Sequence, residues 1–563
     1  MASVAFAIGT GPQVIHLLSP LPAVAAGRPL AIDGTTQPGI GSAPRITLDG
    51  TSAGATASGL QLEADGCLVR GLAIGDFGGD GIYVDGSAAQ IVGNVIGADP
   101  GGTVAQPNGE GIRLVGPASR GLIGGVSVAD RNVISGNATE GVGIDDVNSL
   151  YNLVAANYIG TDAAGEAAIP NGTYGVVVAN GAALNMIGDP VAGGGNLISG
   201  NRSAGVAVIA PAPNGNSVLN NVISLDAAGR AAIPNNVGVV IFGGALKNSI
   251  GNGSPLGRNV ISGNTGDGVD IFDSTTTGNF VQNNDIGTDP AGSIPLPNGG
   301  RGVAVSGGAT NTTVGGDFGT LGNVISGNGQ EGVALTAVGV GSSVLGNLIG
   351  LDATGTAGLP NHVAGVGVYE ISLTVGVQTH IGRHAATRNV ISGNLDDGIL
   401  LQGGQGTSIQ ANLIGLDAAG GRAVGNQGHG IAVTVGSDDV VIGERDSSVS
   451  DSASIAADGN IVGTDATKTL ILGNTGRPGD PAFGISLVDA PYGNIAGVGQ
   501  VRNTISANGN GGGGISVSGT SPGLRLYFNT IGPAIASRAL RSLGNGGPGV
   551  LIRPGPTAVA GDN

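Results

Sequence analysis

Apolar residues in this chain recur in pairs two positions apart, as in Gly238-Val-Val-Ile241, where Val239 and Ile241 share one face of an extended segment. No long window repeats at 3.6, so the pattern predicts short strands and no amphipathic helices. The marker Gly-Val/Ile-x-aliphatic begins at Gly81, Gly111, Gly141, Gly175, Gly205, Gly238, Gly268, Gly302, Gly332, Gly365, Gly398, Gly430, Gly484, Gly514 and Gly549. Between markers lie Gly- and Asn-rich turns and a second short apolar segment such as Asn221-Val-Ile. Each marker therefore predicts one turn of a stacked coil, about 15 in all.

The coils come in pairs. Asn132-Val-Ile-Ser-Gly-Asn137 returns at Asn196, Asn259, Asn323 and Asn389, at steps of 64, 63, 64 and 66 residues. A second phrase, Asn94-Val-Ile-Gly-Ala-Asp99, runs in step, and its Asp recurs as Asp162, Asp226, Asp289, Asp352 and Asp417. Two loop types alternate, one led by these Asp residues and the other following Ile187-Gly-Asp and its equivalents. Asn137, Asn201, Asn264, Asn328 and Asn394 are expected to stack as structural ladders, and the phrase Asp residues to cap turns. The predicted fold class is all-β, a right-handed parallel β-helix with a 64-residue two-coil super-repeat. The organisation expected is one solenoid over residues 1–563. Residues 1–60 form entry coils, 61–443 regular coils, 444–480 an insertion and 481–563 C-terminal coils.

Composition narrows the function classes. Gly is 112 of 563 without a Gly-X-Y period, which excludes collagen. Hydrophobic content of 40% against 11% charged residues opposes disorder. A net charge of −17 repels nucleic acid and anionic membranes. It also repels an acidic polysaccharide unless a metal or a basic groove intervenes. The lone Cys67 excludes an internal disulfide and reads as a buried small hydrophobe. No run of 18 apolar residues spans a membrane, and no signal-peptide pattern opens the chain, which we expect to be a segment of a longer protein.

Ile32-Asp-Gly-Thr-Thr-Gln-Pro-Gly39 and Ile46-Thr-Leu-Asp-Gly50, leading into the two phrases, resemble the parallel β-helix repeats of large secreted or surface proteins of bacteria. The resemblance covers about residues 29–550. It implies an extracellular or cell-surface location and a fold shared by pectate-lyase-like enzymes, epimerases, phage tailspikes and adhesins. It does not choose among them.

Stacking converts sequence columns into spatial ones. The residue before each marker reads Asp80, Glu110, Glu140, Tyr174, Ala204, Val237, Asp267, Arg301, Glu331, Ala364, Asp397, His429, Phe483, Gly513 and Pro548. Asp80, Glu110 and Glu140 are three carboxylates that would either raise a pKa or hold Ca²⁺; the alternative is three solvated turn acids. Asp267, Arg301 and Glu331 alternate in sign, as a surface ion-pair ladder would. Asp396, Asp397 and His429 resemble the Asp-Asp and Gly-His-Gly elements of polygalacturonases, which implies a catalytic role in glycosidic hydrolysis. Two departures stand against it: Ala364 where that family has another Asp, and no Arg-x-Lys element in Asp480-Pro-Ala-Phe-Gly484.

The outward marker position is uncharged except at Arg113 and Asp270, and aromatics are 3% of the chain. A flat small-residue face suits packing or self-association better than sugar binding. Two readings follow. The first is a non-catalytic extracellular stalk, adhesin or assembly surface with a cell-surface or polysaccharide ligand, no nucleic acid and no membrane insertion. The alternative is a polysaccharide-active lyase, hydrolase or epimerase with its site near Asp397 and His429. A phage-type spike would in addition trimerise.

Overall fold

The computed structural model describes residues 1–39, 44, 46–209, 214–369, 379–437 and 440–443. Beyond these it describes 460–463, 474–475, 482–490, 494–496, 503–505, 513–519, 524–527, 529–531, 549–553 and 559–560. Most of the expected insertion, 444–480, lies outside the described residues. The chain forms two compact units, Met1–Asp270 and Ile271–Asn563.

Each unit is a right-handed parallel β-helix, and its coil has three strands. In unit 1 one coil runs Ile112–Leu114, Leu122–Gly124 and Val133–Ile134; the next runs Val142–Asp145, Leu153–Ala155 and Tyr158–Ile159. Every pairing between coils is parallel and in step: Arg113 faces Tyr83 and Gly143, Leu122 faces Leu153, and Val133 faces Tyr158. The marker strands form the first face. The Asn phrases form the third, both phrases on the same face in alternate coils. The second face is the finding that periodicity does not reveal. After the four-residue strands Ala2–Ala5 and Leu30–Asp33, its described strands, such as Met186–Ile187 and Ser217–Val218, are two or three residues long, too short to show a period of two. Unit 2 repeats the arrangement, as in Val333–Thr336, Ser343–Leu345 and Leu348–Ile349. An extra marker strand, Leu60–Leu62 after Gly59, precedes the first of the fifteen motifs.

The core is aliphatic. Ile82, Ile112, Val142, Val176 and Val206 stack one above another at 0% exposure, with Ile96, Ile134, Ile159 and Ile198 from the third face against them. Cys67 is likewise free and fully buried. Three corners turn the chain, and there the backbone leaves the ladders and must find other partners.

Asn provides them. Asn132 Nδ2 donates to Asn157 Oδ1 at 2.9 Å, Asn157 to Asn196 at 3.0 Å, and Asn196 to Asn221 at 2.9 Å. The backbone N–H of each residue donates to the same oxygen, and its amide also reaches a carbonyl of the preceding coil. In unit 2 the column runs Asn284, Asn323, Asn347, Asn389, Asn412, Asn460, Asn503, Asn529. A second column joins Asn108, Asn137, Asn171, Asn201 and Asn235, and in unit 2 Asn298, Asn328, Asn361, Asn394, Asn426 and Asn474. A third column, Asn152, Asn185, Asn216 and Asn248, turns the remaining corner of unit 1. Unit 2 places Thr312, Ser342, Thr379 and Thr407 on its corner before the second-face strands, and their buried hydroxyls have no hydrogen-bond partner.

The phrase Asp residues close small hairpins. Asp162 Oδ1 accepts the amides of Glu166 and Ala167, and Asp226, Asp289, Asp352 and Asp417 repeat the pattern. Successive hairpins touch, Ala163 N–H donating to Gly102 O and Ala227 N–H to Gly165 O. Burial alone would raise the Asp99 carboxyl, but the amides of Thr103, Val104 and Gly101 outweigh it and hold it below its usual range.

Replacing Asn347 by Ala strands the backbone and side-chain donors of Asn323 and the carbonyl of Val314. Its urea midpoint should fall by an amount equivalent to about 2–4 kcal/mol, since each buried orphan costs about 1–3 kcal/mol. Glu166→Ala, at an exposed hairpin tip, should change stability by less than about 0.5 kcal/mol in the same titration.

Candidate functional site

The outward marker positions are less open than a flat face implies: Val177, Ala207, Val240, Ala304, Ala334 and Ala432 are all under a tenth exposed. Charged side chains on this face include a cluster around Arg113 in unit 1, and in unit 2 a pair at Arg301 and Glu331 and the residues Asp397 and His429.

In unit 1 the expected carboxylates Asp80, Glu110 and Glu140 rise from successive coils, and Arg113 sits among them. Arg113 Nη1 lies 3.7 Å from Glu110 Oε1, and its Nε 3.5 Å from Asp145 Oδ2. Glu110 Oε2 is buried without a hydrogen-bond partner and lies over Gly143, where a Cβ would approach it to 2.9 Å. Any larger residue at position 143 would close the space that the carboxyl occupies. Glu140 accepts a hydrogen bond from Thr173 Oγ1 at 3.0 Å, and Asp145 one from Asn180 Nδ2 at 3.3 Å.

Burial is the largest influence on Glu110. Arg113 opposes it, but Asp80, Glu140 and Asp145 add repulsion, and the carboxyl is pushed up to about 8. Burial raises Asp80 and Asp145 too, against the pull of Arg113. Glu110 therefore carries a proton at neutral pH beside other carboxyls, a state that acid catalysts use and that structural clusters also show. Among the described residues, no group of three or more His, Cys, Asp or Glu side chains is arranged to hold a metal ion.

In unit 2 Arg301 Nε lies 3.5 Å from Glu331 Oε2. Tyr369 folds its ring back over Gly367 and donates its hydroxyl to Glu331 Oε1 at 2.5 Å. Burial, then this bond, raises the Tyr369 phenol above its usual range.

Asp397 and His429 meet, and one bond between them runs to the backbone. Asp397 Oδ1 accepts the main-chain N–H of His429 at 2.6 Å, and a Cβ on Gly428 would sit against that same oxygen. The His429 ring accepts the Phe483 N–H at Nδ1, 3.0 Å away, which places the proton of the neutral ring on Nε2. The Phe483 ring lies 6.1 Å from it. The main-chain oxygen of Asp396 accepts the Gly428 N–H at 2.8 Å. The acid, the imidazole and the next coil thus form one chain of inter-coil bonds.

The partners that complete these clusters, Asp145 and Tyr369, each lie four residues after a marker Gly. That column, adjacent to the outward one, holds the missing signal.

No protein-family profile and no curated protein sequence matches the chain. Among solved structures it is similar to the Dettilon tailspike protein, at 16% identity and TM-score 0.33, over 74% of this chain and 60% of that one. It is also similar to the A-module of the Azotobacter vinelandii mannuronan C-5 epimerase AlgE6, at 13% identity and TM-score 0.34, over 87% and 91%. A third is a mutant of the PL6 family alginate lyase AlyGC, at 10% identity and TM-score 0.33, over 93% and 82%. The chain spans 60% of the tailspike's length. At these values no site or activity carries over.

Two predictions follow from the clusters. Between its ordinary 4.5 and about 8, Glu110 keeps a proton in the folded state that the unfolded chain has released. Stability should therefore fall as pH rises through that window, and Glu110→Gln should flatten the fall, measured by urea midpoints at pH 5 and pH 8.5. Asp397→Ala should orphan the His429 amide and destabilise unit 2 by about 1–3 kcal/mol, whereas Asp397→Asn keeps an acceptor oxygen and should lose less than half of that.

Proposed function

We propose that this chain is a non-catalytic structural and interaction module of the extracellular space, a rigid β-helical stalk or assembly surface that meets a cell-surface or polysaccharide ligand. The observation that carries this reading is the use made of its best catalytic candidates. Asp397 is bonded to the backbone of the following coil, and His429 anchors the coil after that through Nδ1. A general base needs its basic atom within reach of a substrate proton, and here that atom already accepts a main-chain N–H. Glu331 is engaged in the same manner by Tyr369.

The Glu110 cluster favours a second reading, a polysaccharide-active enzyme. A carboxylic acid that keeps its proton near neutral pH, beside the carboxyls of Asp80 and Asp145 and a half-exposed Arg113, has the makings of a general acid with a charged partner. Under that reading the site lies in unit 1 and not at Asp397.

A degradation screen over neutral and acidic polysaccharides, with and without Ca²⁺, separates the two. The module reading expects no cleavage by wild type, Asp397→Asn or Glu110→Gln, with any retention on immobilised polysaccharide unchanged among the three. Cleavage lost in Glu110→Gln and kept in Asp397→Asn would establish the second reading; cleavage lost in Asp397→Asn would return catalysis to unit 2.

A further inference from the structure

Unit 1 has a trough on its third face, away from the marker strands. Its floor is Val95 and Val133, neighbours in the parallel ladder and both nearly buried. Gly101 and Ala163, in two successive Asp-led hairpins, form one wall. The short helical turn Val128–Asp130 and Arg131 form the other. The trough extends past these walls to Thr35, Pro44, Gly71 and Gly93, and its whole volume is about 680 Å³, within the range of small-molecule sites.

Arg131 is fixed in place. Its guanidinium lies 4.0 Å over the Tyr158 ring, and its Nε donates to Ala156 O at 3.3 Å. That leaves the two terminal nitrogens, and among the described residues no carboxylate pairs with them. The nearby acids are engaged elsewhere. Asp33 is ion-paired with Arg70 at 3.0 Å, Asp99 is bonded to the amides of its own hairpin, and Asp130 accepts the Ser127 hydroxyl at 2.5 Å. A stacked guanidinium with a free planar fork is preorganised for two parallel bonds to a carboxylate. Acids further off in this chain are screened beyond about 8 Å at physiological salt.

We propose that this trough binds a small carboxylate-bearing ligand, with Arg131 gripping the carboxylate and Val95, Val133 and Val128 covering its apolar body. Val128 stands 77% exposed at the rim, an apolar side chain left in water unless something lies against it. The proposal is independent of the marker-face reading, because none of its residues belongs to either charged cluster.

The test uses the full chain and four probes: D-glucuronate and hexanoate as carboxylates, D-glucose and hexanamide as their neutral counterparts. Saturation-transfer NMR followed by calorimetry should show saturable binding of a carboxylate and none of its neutral twin; the tighter carboxylate tells a sugar acid from an aliphatic one. Arg131→Ala should weaken binding by about tenfold or more, because it removes the charged hydrogen bonds to the carboxylate. Val128→Asp, at an exposed rim position where folding is indifferent, should weaken it comparably by adding a negative charge. Binding equal for carboxylates and neutral twins, no saturable binding of either carboxylate, or wild-type affinity in both variants would each overturn the proposal.

Discussion

A β-helix must turn its chain three times per coil, and at each corner the backbone leaves the strand ladders while staying buried. Unpaired, those N–H and C=O groups would destabilise each coil by several kcal/mol. The asparagine amide resolves this because one side chain has both an acceptor and two donors. Its oxygen takes the backbone and side-chain donors of the preceding coil, and its nitrogen reaches that coil's carbonyls and the next asparagine. The 64-residue period, the placing of the phrases and the registry of all three faces rest on these columns. Where unit 2 substitutes Thr312, Ser342, Thr379 and Thr407, the strand ladder continues but the amide column stops.

The same logic reaches the marker face. A polar residue held between stacked coils loses water, and its neighbours above and below become its solvent. Glu110 resolves the loss by keeping its proton, Glu331 by taking the Tyr369 hydroxyl, and Asp397 by capping an amide. Of these candidate groups, Glu331 and Asp397 are hydrogen-bonded to neighbouring coils. Glu110 and Glu331 each leave a second, buried oxygen without a hydrogen bond.

Much of this was legible in the sequence, because stacking makes periodicity a direct image of the structure. The fifteen markers each begin a strand, the phrase Asn residues form columns, and the phrase Asp residues cap hairpins. Two things escaped. The second-face strands are too short to carry a pattern. Reading one column before each marker and one two residues after it gave Glu110, Arg113 and Glu331, but left out Asp145 and Tyr369 two positions further on. Distance in the sequence also hid that Asp397 would accept the His429 backbone N–H. Carboxylate direction follows from turn geometry, which column spacing does not encode.

Native-state hydrogen exchange on the full chain tests the central claim most directly, namely that the buried amide columns hold the coils together. The account predicts that the backbone amides of Asn157, Asn196, Asn323 and Asn347 exchange only through global unfolding of their unit. The hairpin amides of Glu166 and Arg230 should exchange through local opening, orders of magnitude faster. Column amides that exchange as fast as those of the hairpins would contradict it, and would move the source of stability to the aliphatic core alone.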